Sequence, residues 1–273
     1  MKAALLVAIS FLAVGSDCSG QQPTTNKPSL GVLLERLHSE DEVQRSKAFE
    51  ALRSNPKTLE SQEVRAALIE LLDRENQQLD AKLLQAQNSQ DAEKDNVESE
   101  GYAEYYGYLL DTVDSFADWN DPRQACILVN AGSSPDSTFA TEVAIHGKTT
   151  IPCLIRRSQS AVGMNRAVAI PVLVQALAKQ KNNLDSGTVE KARQIVLKAL
   201  RDSNEGVRSF TVLALSTFGE EDMVPALKDV ARTDPAFDKE SNSYAIREAA
   251  SKATAAIKER ASKQSEREAH PQN

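Results

Sequence analysis

Residues 197–231 read LKALRDSNEGVRSFTVLALSTFGEEDMVPALKDVA and give the clearest helical pattern in the chain. A first helix ends near Arg201. Asp202, followed three residues later by Glu205, forms a capping box for a second helix. Gly219 fits the C-cap of that helix, and the segment MVPALKDV opens a third. One face of the second helix is formed by Val207, Phe210, Thr211, Ala214 and Phe218. The stretch therefore predicts short amphipathic helices joined by tight turns.

An apolar residue followed by proline, any residue and leucine recurs along the chain. Proline is tolerated in the first turn of a helix, where its missing N–H leaves no hydrogen bond unmade. Each copy of the pattern therefore predicts the start of a helix. The copies are IPCL at 151–154, IPVL at 170–173 and VPAL at 224–227.

A second pattern is an arginine followed by small residues three and six positions later, which allows close helix packing. The copies are RSKAFEA at 45–51, RSFTVLA at 208–214 and REAASKA at 247–253. Arg208 and Arg247 are 39 residues apart, close to the length of a two-helix repeat. Short helices in long succession therefore indicate a repeat architecture.

The order D-S-N-E-G-V-R, A-L, G, V-P-A-L within 197–231 resembles HEAT repeats, including the bacterial HEAT-like class. The resemblance is strongest over 188–260, fair over 30–72 and weakest over 120–180. It implies an all-α, right-handed superhelical solenoid of stacked antiparallel helix pairs, which acts as a scaffold or binding surface. We expect this solenoid to cover 30–260, with an irregular loop near 88–100. The family supplies no catalytic motif that transfers to this chain.

The N-terminus has the layout of a secretory signal peptide. Met1 and Lys2 form a basic start, an uncharged apolar run follows over 3–14, and small and polar residues come next. We expect a signal peptide over 1–20, a polar linker over 21–29, and a protein exported to the periplasm or outside the cell. The apolar run is short for a membrane span, so none is expected after cleavage. Asp17 departs from the small residue that bacterial lipoprotein signals place before their cysteine, so lipid anchoring at Cys18 is not expected.

Composition argues against several other functions. The net charge of −7 and the absence of a Lys/Arg-rich run disfavour nucleic-acid binding. The three histidines, His38, His146 and His270, are not at zinc-ligand spacing. No nucleotide-binding loop or hydrolase motif occurs, so we expect no cofactor, no metal and no catalysis. Residues 261–273 lack an apolar face, so we expect them to form a disordered polar tail.

Two cysteines, Cys126 and Cys153, remain if the leader is removed. Export to an oxidising compartment favours a disulfide between them. Two buried free thiols fit the sequence equally well, because cysteine is often a small core residue.

Four of the five tyrosines lie in a helix predicted over about 101–118. A core face is formed by Tyr102, Tyr106, Leu109, Val113 and Phe116. Tyr105, Tyr108 and Trp119 lie on one flank, beside a stripe that includes Asp111 and Asp118. In one interpretation, the aromatic residues pack against neighbouring helices and the aspartates form a solvated polar face. In the other, all five residues form a recognition patch for a protein or peptide partner, and the aspartates favour a basic one.

The leading hypothesis is therefore an exported, non-catalytic scaffold. One alternative is an enzyme or cofactor-binding protein built on the same superhelix. The other is a structural protein of the cell envelope that assembles with itself.

Overall fold

The computed structural model describes residues 28–88, 99–132 and 138–269. Within these ranges it has twelve α-helices and no strand. The predicted signal peptide, Cys18, most of the linker and most of the loop near 88–100 lie outside them. The helices are α1 Leu30–Leu37, α2 Glu42–Arg53, α3 Gln62–Asn88, α4 Ser99–Asp114, α5 Pro122–Ala131, α6 Thr138–Ile145, α7 Gly147–Arg157, α8 Gly163–Gln180, α9 Ser186–Ala199, α10 Glu205–Phe218, α11 Val224–Thr233 and α12 Ala245–Ala269.

Helices pack mainly against near neighbours in the chain, which is the arrangement of a solenoid. In the C-terminal half, α8 packs on α10 and α10 on α12, while α9 packs on α8 and α11 packs on α12. In the N-terminal half, α1 packs on α2 and α3, and α3 packs on α4 and α5. The prediction of an all-α, HEAT-like solenoid is confirmed. No helix in the described part of the chain combines the length and apolar character that a membrane crossing requires.

Two apolar cores meet at α5. The N-terminal core takes Ile127 and Leu128 from this helix, and the C-terminal core takes Val129. Trp119, in the turn before α5, packs against both cores. The irregular middle of the chain, where the repeat pattern is weakest, is therefore the joint between the two halves.

A chain of arginine–aspartate contacts links successive repeats. Arg166 donates from Nε and Nη2 to Asp202, at 2.9 and 2.8 Å. Arg208 donates from Nη1 to the backbone oxygen of Asp202, and from Nε to Oδ2 of Asp234 at 2.7 Å. Arg247 then donates to the backbone oxygen of Asp234. Arg166 and Arg208 thus tie their helices to the turn of the next repeat, and Arg247 ties α12 to the loop that precedes it. These contacts explain the arginines at 208 and 247 of the second sequence pattern.

The proline pattern marks a helix start only at Pro225, in the first turn of α11. Pro152 and Pro171 lie inside α7 and α8, so the predicted starts at those two positions were wrong. An interior proline costs about 3 kcal/mol in a helix. Helix α8 tolerates this cost because it is buried on nearly all sides, including every residue over 167–174.

Helix ends also differ from the predicted caps. Asn204, and not Asp202, caps α10 by accepting a hydrogen bond from the Val207 N–H at 3.1 Å. Asp202 forms an ion pair with Arg166 instead.

At the C-terminus, α12 continues to Ala269, so the predicted disordered tail begins inside a helix. The ion pair between Lys263 and Glu259, one turn apart, supports this polar extension.

Candidate partner-binding surface on α4

Helix α4 divides its tyrosines between the core and the surface. Tyr105 and Tyr106 are buried, at 6% and 7% exposure. Tyr102 is half-buried, and Tyr108 is 38% exposed. The cluster is therefore mostly packing, with Tyr108 at the surface.

The buried tyrosines surround a carboxylate on α3. Glu75 is fully buried and accepts hydrogen bonds from Arg45 Nε at 2.7 Å, the Tyr102 hydroxyl at 3.0 Å and the Tyr105 hydroxyl at 3.2 Å. Burial, with the charge of Glu75 and the hydrogen bond to it, raises the pKa of the Tyr105 hydroxyl well above its usual value. The ring of Phe49 covers Tyr105 edge-on, with centroids 5.8 Å apart. The partner-binding interpretation requires Tyr105 at the surface, and the structure places it in the core instead.

A second buried pair joins α3, α4 and α5. The Tyr106 hydroxyl donates to Oδ1 of Asn76, and Asn76 Nδ2 donates to the backbone oxygen of Ile127 at 2.9 Å. Burial is the main cause that raises the pKa of Tyr106. Tyr106 therefore lies at the joint between the two cores. This burial agrees with its position on the predicted core face of the helix.

Tyr108 is held at the surface by an arginine of α2. The Arg53 guanidinium lies over the Tyr108 ring, with Cζ 4.0 Å from the centroid, and forms an ion pair with Glu50 at 3.2 Å. A cation stacked on an aromatic face stabilises that arrangement by about 0.5–1 kcal/mol at an exposed site. The Tyr108 ring is thus exposed to solvent and restrained in position.

Acidic residues accompany Tyr108 along the exposed side of α4. Glu104, Tyr108 and Asp111 are all exposed and follow one another at helical spacing; we call them the Tyr108 stripe. Asp118 is also exposed, beyond the end of the helix. Its Oδ1 accepts from the backbone and side-chain nitrogens of Asn120, which shapes the turn before α5. The stripe offers an aromatic contact between negative charges.

Trp119 occupies a different environment. Its Nε1 donates to Oδ1 of Asp114 at 3.1 Å, and its ring stacks on His146 with centroids 5.5 Å apart. Burial is the main cause that raises the pKa of Asp114, and the nearby Glu142 adds to it, while the hydrogen bond from Trp119 acts in the opposite direction. Trp119 is half-buried and packs at the junction of the cores. Its contacts are those of a packing residue.

The two cysteines join the middle helices. Cys126 on α5 and Cys153 on α7 form a disulfide, with Cα atoms 5.3 Å apart. Arg156 lies beside it, with Nη2 3.3 Å from the Cys126 sulfur. Over the ranges that the structure describes, no three His, Cys, Asp or Glu side chains are grouped as a metal site requires.

Comparison with known proteins adds one match. Residues 164–241 match the family model described as HEAT repeats, a segment that runs from α8 into the loop after α11. A search of curated proteins gives no match to the chain.

Proposed function

We propose that this chain, whose residues 164–241 match the family model described as HEAT repeats, is an exported, non-catalytic scaffold for a protein or peptide partner. The observation that carries this proposal is the Tyr108 stripe, in which a restrained, exposed tyrosine lies between carboxylates. HEAT-like stacks supply long surfaces for binding and no closed catalytic pocket by themselves. We propose the Tyr108 stripe as the surface that binds the partner.

The partner is a basic segment that contacts the stripe. Tyr108 supplies contact area at a low cost in side-chain entropy, since tyrosine has few rotatable bonds. Glu104 and Asp111 carry negative charge, so they attract lysine or arginine side chains and hold them in register. The overall charge of −7 adds a long-range attraction to the same class of partner.

Export is part of this proposal and rests on the N-terminal sequence alone. The basic start, the apolar run over 3–14 and the polar residues after it support a cleaved leader. Mass measurement of the protein recovered from the exported fraction tests this step. Loss of about the first 15–20 residues supports it, and an intact Met1 in that fraction contradicts it.

The binding test compares two exposed tyrosines that have equal exposure. Tyr108 and Tyr244 are each 38% exposed, but Tyr244 lies before α12, at the other end of the solenoid. Affinity capture from the exported fraction with the wild-type protein identifies partners, and calorimetry then measures each affinity. We expect Tyr108→Ala with Asp111→Asn to weaken the specific partner by about tenfold or more. Tyr244→Ala retains the wild-type affinity.

Melting temperatures separate lost binding from lost folding. The double variant loses the contact of Arg53 with the Tyr108 ring, which contributes about 0.5–1 kcal/mol, so its melting temperature falls by only a few degrees and it stays folded. Binding that weakens with added salt supports the basic partner, since exposed charge contacts are screened. A partner whose affinity is unchanged in the folded double variant would contradict the proposed surface.

A further inference from the structure

An apolar cavity lies between two consecutive repeats, far along the chain from α4. It has a volume of about 260 Å³ and opens between α8, α9, α10 and the 3-10 turn Glu221–Met223. Its apolar walls include Leu177, Val196, Leu215, Phe218 and Met223. Apolar cavities of about 150 Å³ hold a ring the size of benzene. This cavity is larger, so it has room for a longer apolar group.

Charged side chains complete the lining of this cavity. Lys181, Arg193 and Glu220 line it, so two cations face it with one carboxylate. Asp222, the ion-pair partner of Arg193, lines the neighbouring surface depression and not the cavity itself. Each cation that lines the cavity is therefore already paired with a carboxylate, Lys181 with Glu220 and Arg193 with Asp222.

The existing ion pairs do not block access for an anion. Lys181 Nζ lies 2.5 Å from Glu220 Oε1, and both side chains of this pair are nearly half exposed. The pair between Arg193 and Asp222 is about one-third exposed on each side. Exposed ion pairs contribute little net stability. A ligand carboxylate can therefore share or replace these contacts at low cost.

We propose that this cavity binds a medium-chain fatty acid, with the hydrocarbon chain between α8, α9 and α10 and the carboxylate at Lys181 and Arg193. Apolar walls with a few convergent polar groups are the usual composition of a small-molecule site. The walls come from two successive repeats, so a bound chain stabilises the contact between them. Ligand that binds only the folded state also raises the melting temperature.

Three ligands with the same chain length test the assignment on the full wild-type chain. Decanoate, decanol and decyltrimethylammonium differ in head-group charge and are titrated calorimetrically below the concentrations at which they form micelles. We expect decanoate to bind about tenfold more tightly than decanol, because hydrogen bonds to a charged group contribute about that much. The cationic ligand binds most weakly. Decanoate also raises the melting temperature more than the other two.

An arginine pair provides the matched variants. Arg193→Gln removes a cation that lines the cavity, whereas Arg201→Gln removes an exposed arginine that pairs with Asp229 and does not line it. Decanoate affinity falls about tenfold in Arg193→Gln and is unchanged in Arg201→Gln. Absence of decanoate binding to the wild type, equal affinity for decanoate and decanol, or equal losses in the two variants would each overturn the proposal.

Discussion

Arg45 and Glu75 form an ion pair in the N-terminal core, with Nε 2.7 Å from Oε1 and side-chain exposures of 1% and 0%. Arg45 also donates from Nη1 to the backbone oxygens of Ser39 and Glu40, in the turn before α2. Burial by itself lowers the pKa of Arg45, and the hydrogen bond and charge of Glu75 outweigh that effect and raise it. The Arg45 side chain thus joins α2, α3 and the turn between α1 and α2.

Removing one member of this pair is expected to destabilise the protein strongly. Arg45→Leu leaves the Glu75 carboxylate buried and unpaired, which costs about 3–5 kcal/mol of unfolding free energy. Urea denaturation followed by circular dichroism measures the loss. Lys263→Ala is the control, because its ion pair with Glu259 is about two-thirds exposed and contributes under about 1 kcal/mol.

A double variant tests the reason for that loss. Arg45→Leu with Glu75→Leu removes the stranded charge, so it recovers part of the stability of the single variant. The recovery is only partial, because the Tyr102 and Tyr105 hydroxyls lose their acceptor. A double variant that is no more stable than Arg45→Leu would contradict the unpaired carboxylate as the main cause of the loss.

The sequence predicted the helices of the solenoid well, because a helix depends on local periodicity. It identified Arg45 within a helix but gave no indication of Glu75, which lies 30 residues later and joins it only in three dimensions. Arg166 makes the same kind of contact, with Asp202. It does not match the arginine pattern, because the pattern requires a small residue at the sixth position and Val172 is found there. Ion-pair partners on different repeats depend on how the repeats stack on one another, and a local sequence pattern carries no information about that stacking.

The candidate surface was predicted less well than the fold. A helical wheel assigns one core face, but α4 contacts both α2 and α3, so the flank with Tyr105 is also buried. The reverse error occurs at Phe210, which the periodicity placed on the core face of α10 and which is 38% exposed. A residue near the edge of a helix face is buried or exposed according to its neighbouring helix, and the sequence does not identify that neighbour.

Acid is expected to weaken the contact between α10 and the loop after α11. Burial acts to raise the pKa of Asp234, but hydrogen bonds from Arg208 and from the Ala236 N–H lower it overall. A carboxyl with a lowered folded pKa contributes stability that is complete above its unfolded pKa, near 3.8, and is lost as pH falls through the folded value.

Comparison of the wild type with Asp234→Asn across pH tests this expectation. The variant is less stable by about 2–4 kcal/mol near pH 7, because Arg208 loses its buried charged partner. The difference shrinks as pH falls through the lowered folded pKa of Asp234, because the wild-type carboxyl is then protonated as well. A difference in unfolding free energy that stays constant from neutral to acid pH would contradict the assigned role of the Asp234 charge.

The disulfide between α5 and α7 is expected to stabilise the joint of the two cores. Cys126 and Cys153 are 27 residues apart, and closing a loop of that length contributes about 3.5 kcal/mol in the chain-entropy model. Cys126→Ser with Cys153→Ser should therefore melt at a lower temperature than the oxidised wild type. Reducing the wild type should lower its melting temperature toward that of the variant.

Thiol titration supplies the direct check. Denatured, unreduced protein carrying a Cys18→Ser change should release no free thiol, and two after reduction. Two reactive thiols before reduction would show that the cysteines are unpaired in the exported protein.

Two glycines are expected to give stability changes of opposite sign when each is replaced by alanine. A Cβ at Gly107, inside α4, meets no atom within 4 Å. Gly107→Ala should therefore raise the unfolding free energy by about 0.5–1 kcal/mol, because alanine loses less backbone entropy in a helix. A Cβ at Gly219 would lie 2.5 Å from the Leu215 backbone oxygen and 2.8 Å from Ile257 Cδ1. Gly219 lies at the end of α10, where α12 packs closely.

Gly219→Ala should therefore lower the unfolding free energy by about 1–3 kcal/mol, because the backbone oxygen cannot move aside as a flexible side chain can. Urea denaturation of both variants under the same conditions measures the two changes. Ile257→Val with Gly219→Ala shortens the side chain in contact and leaves the backbone contact in place, so it recovers only part of the loss. Full recovery in that double variant would instead assign the clash to the α12 side chain. No loss in Gly219→Ala would contradict both close contacts, with the α10 backbone and with α12.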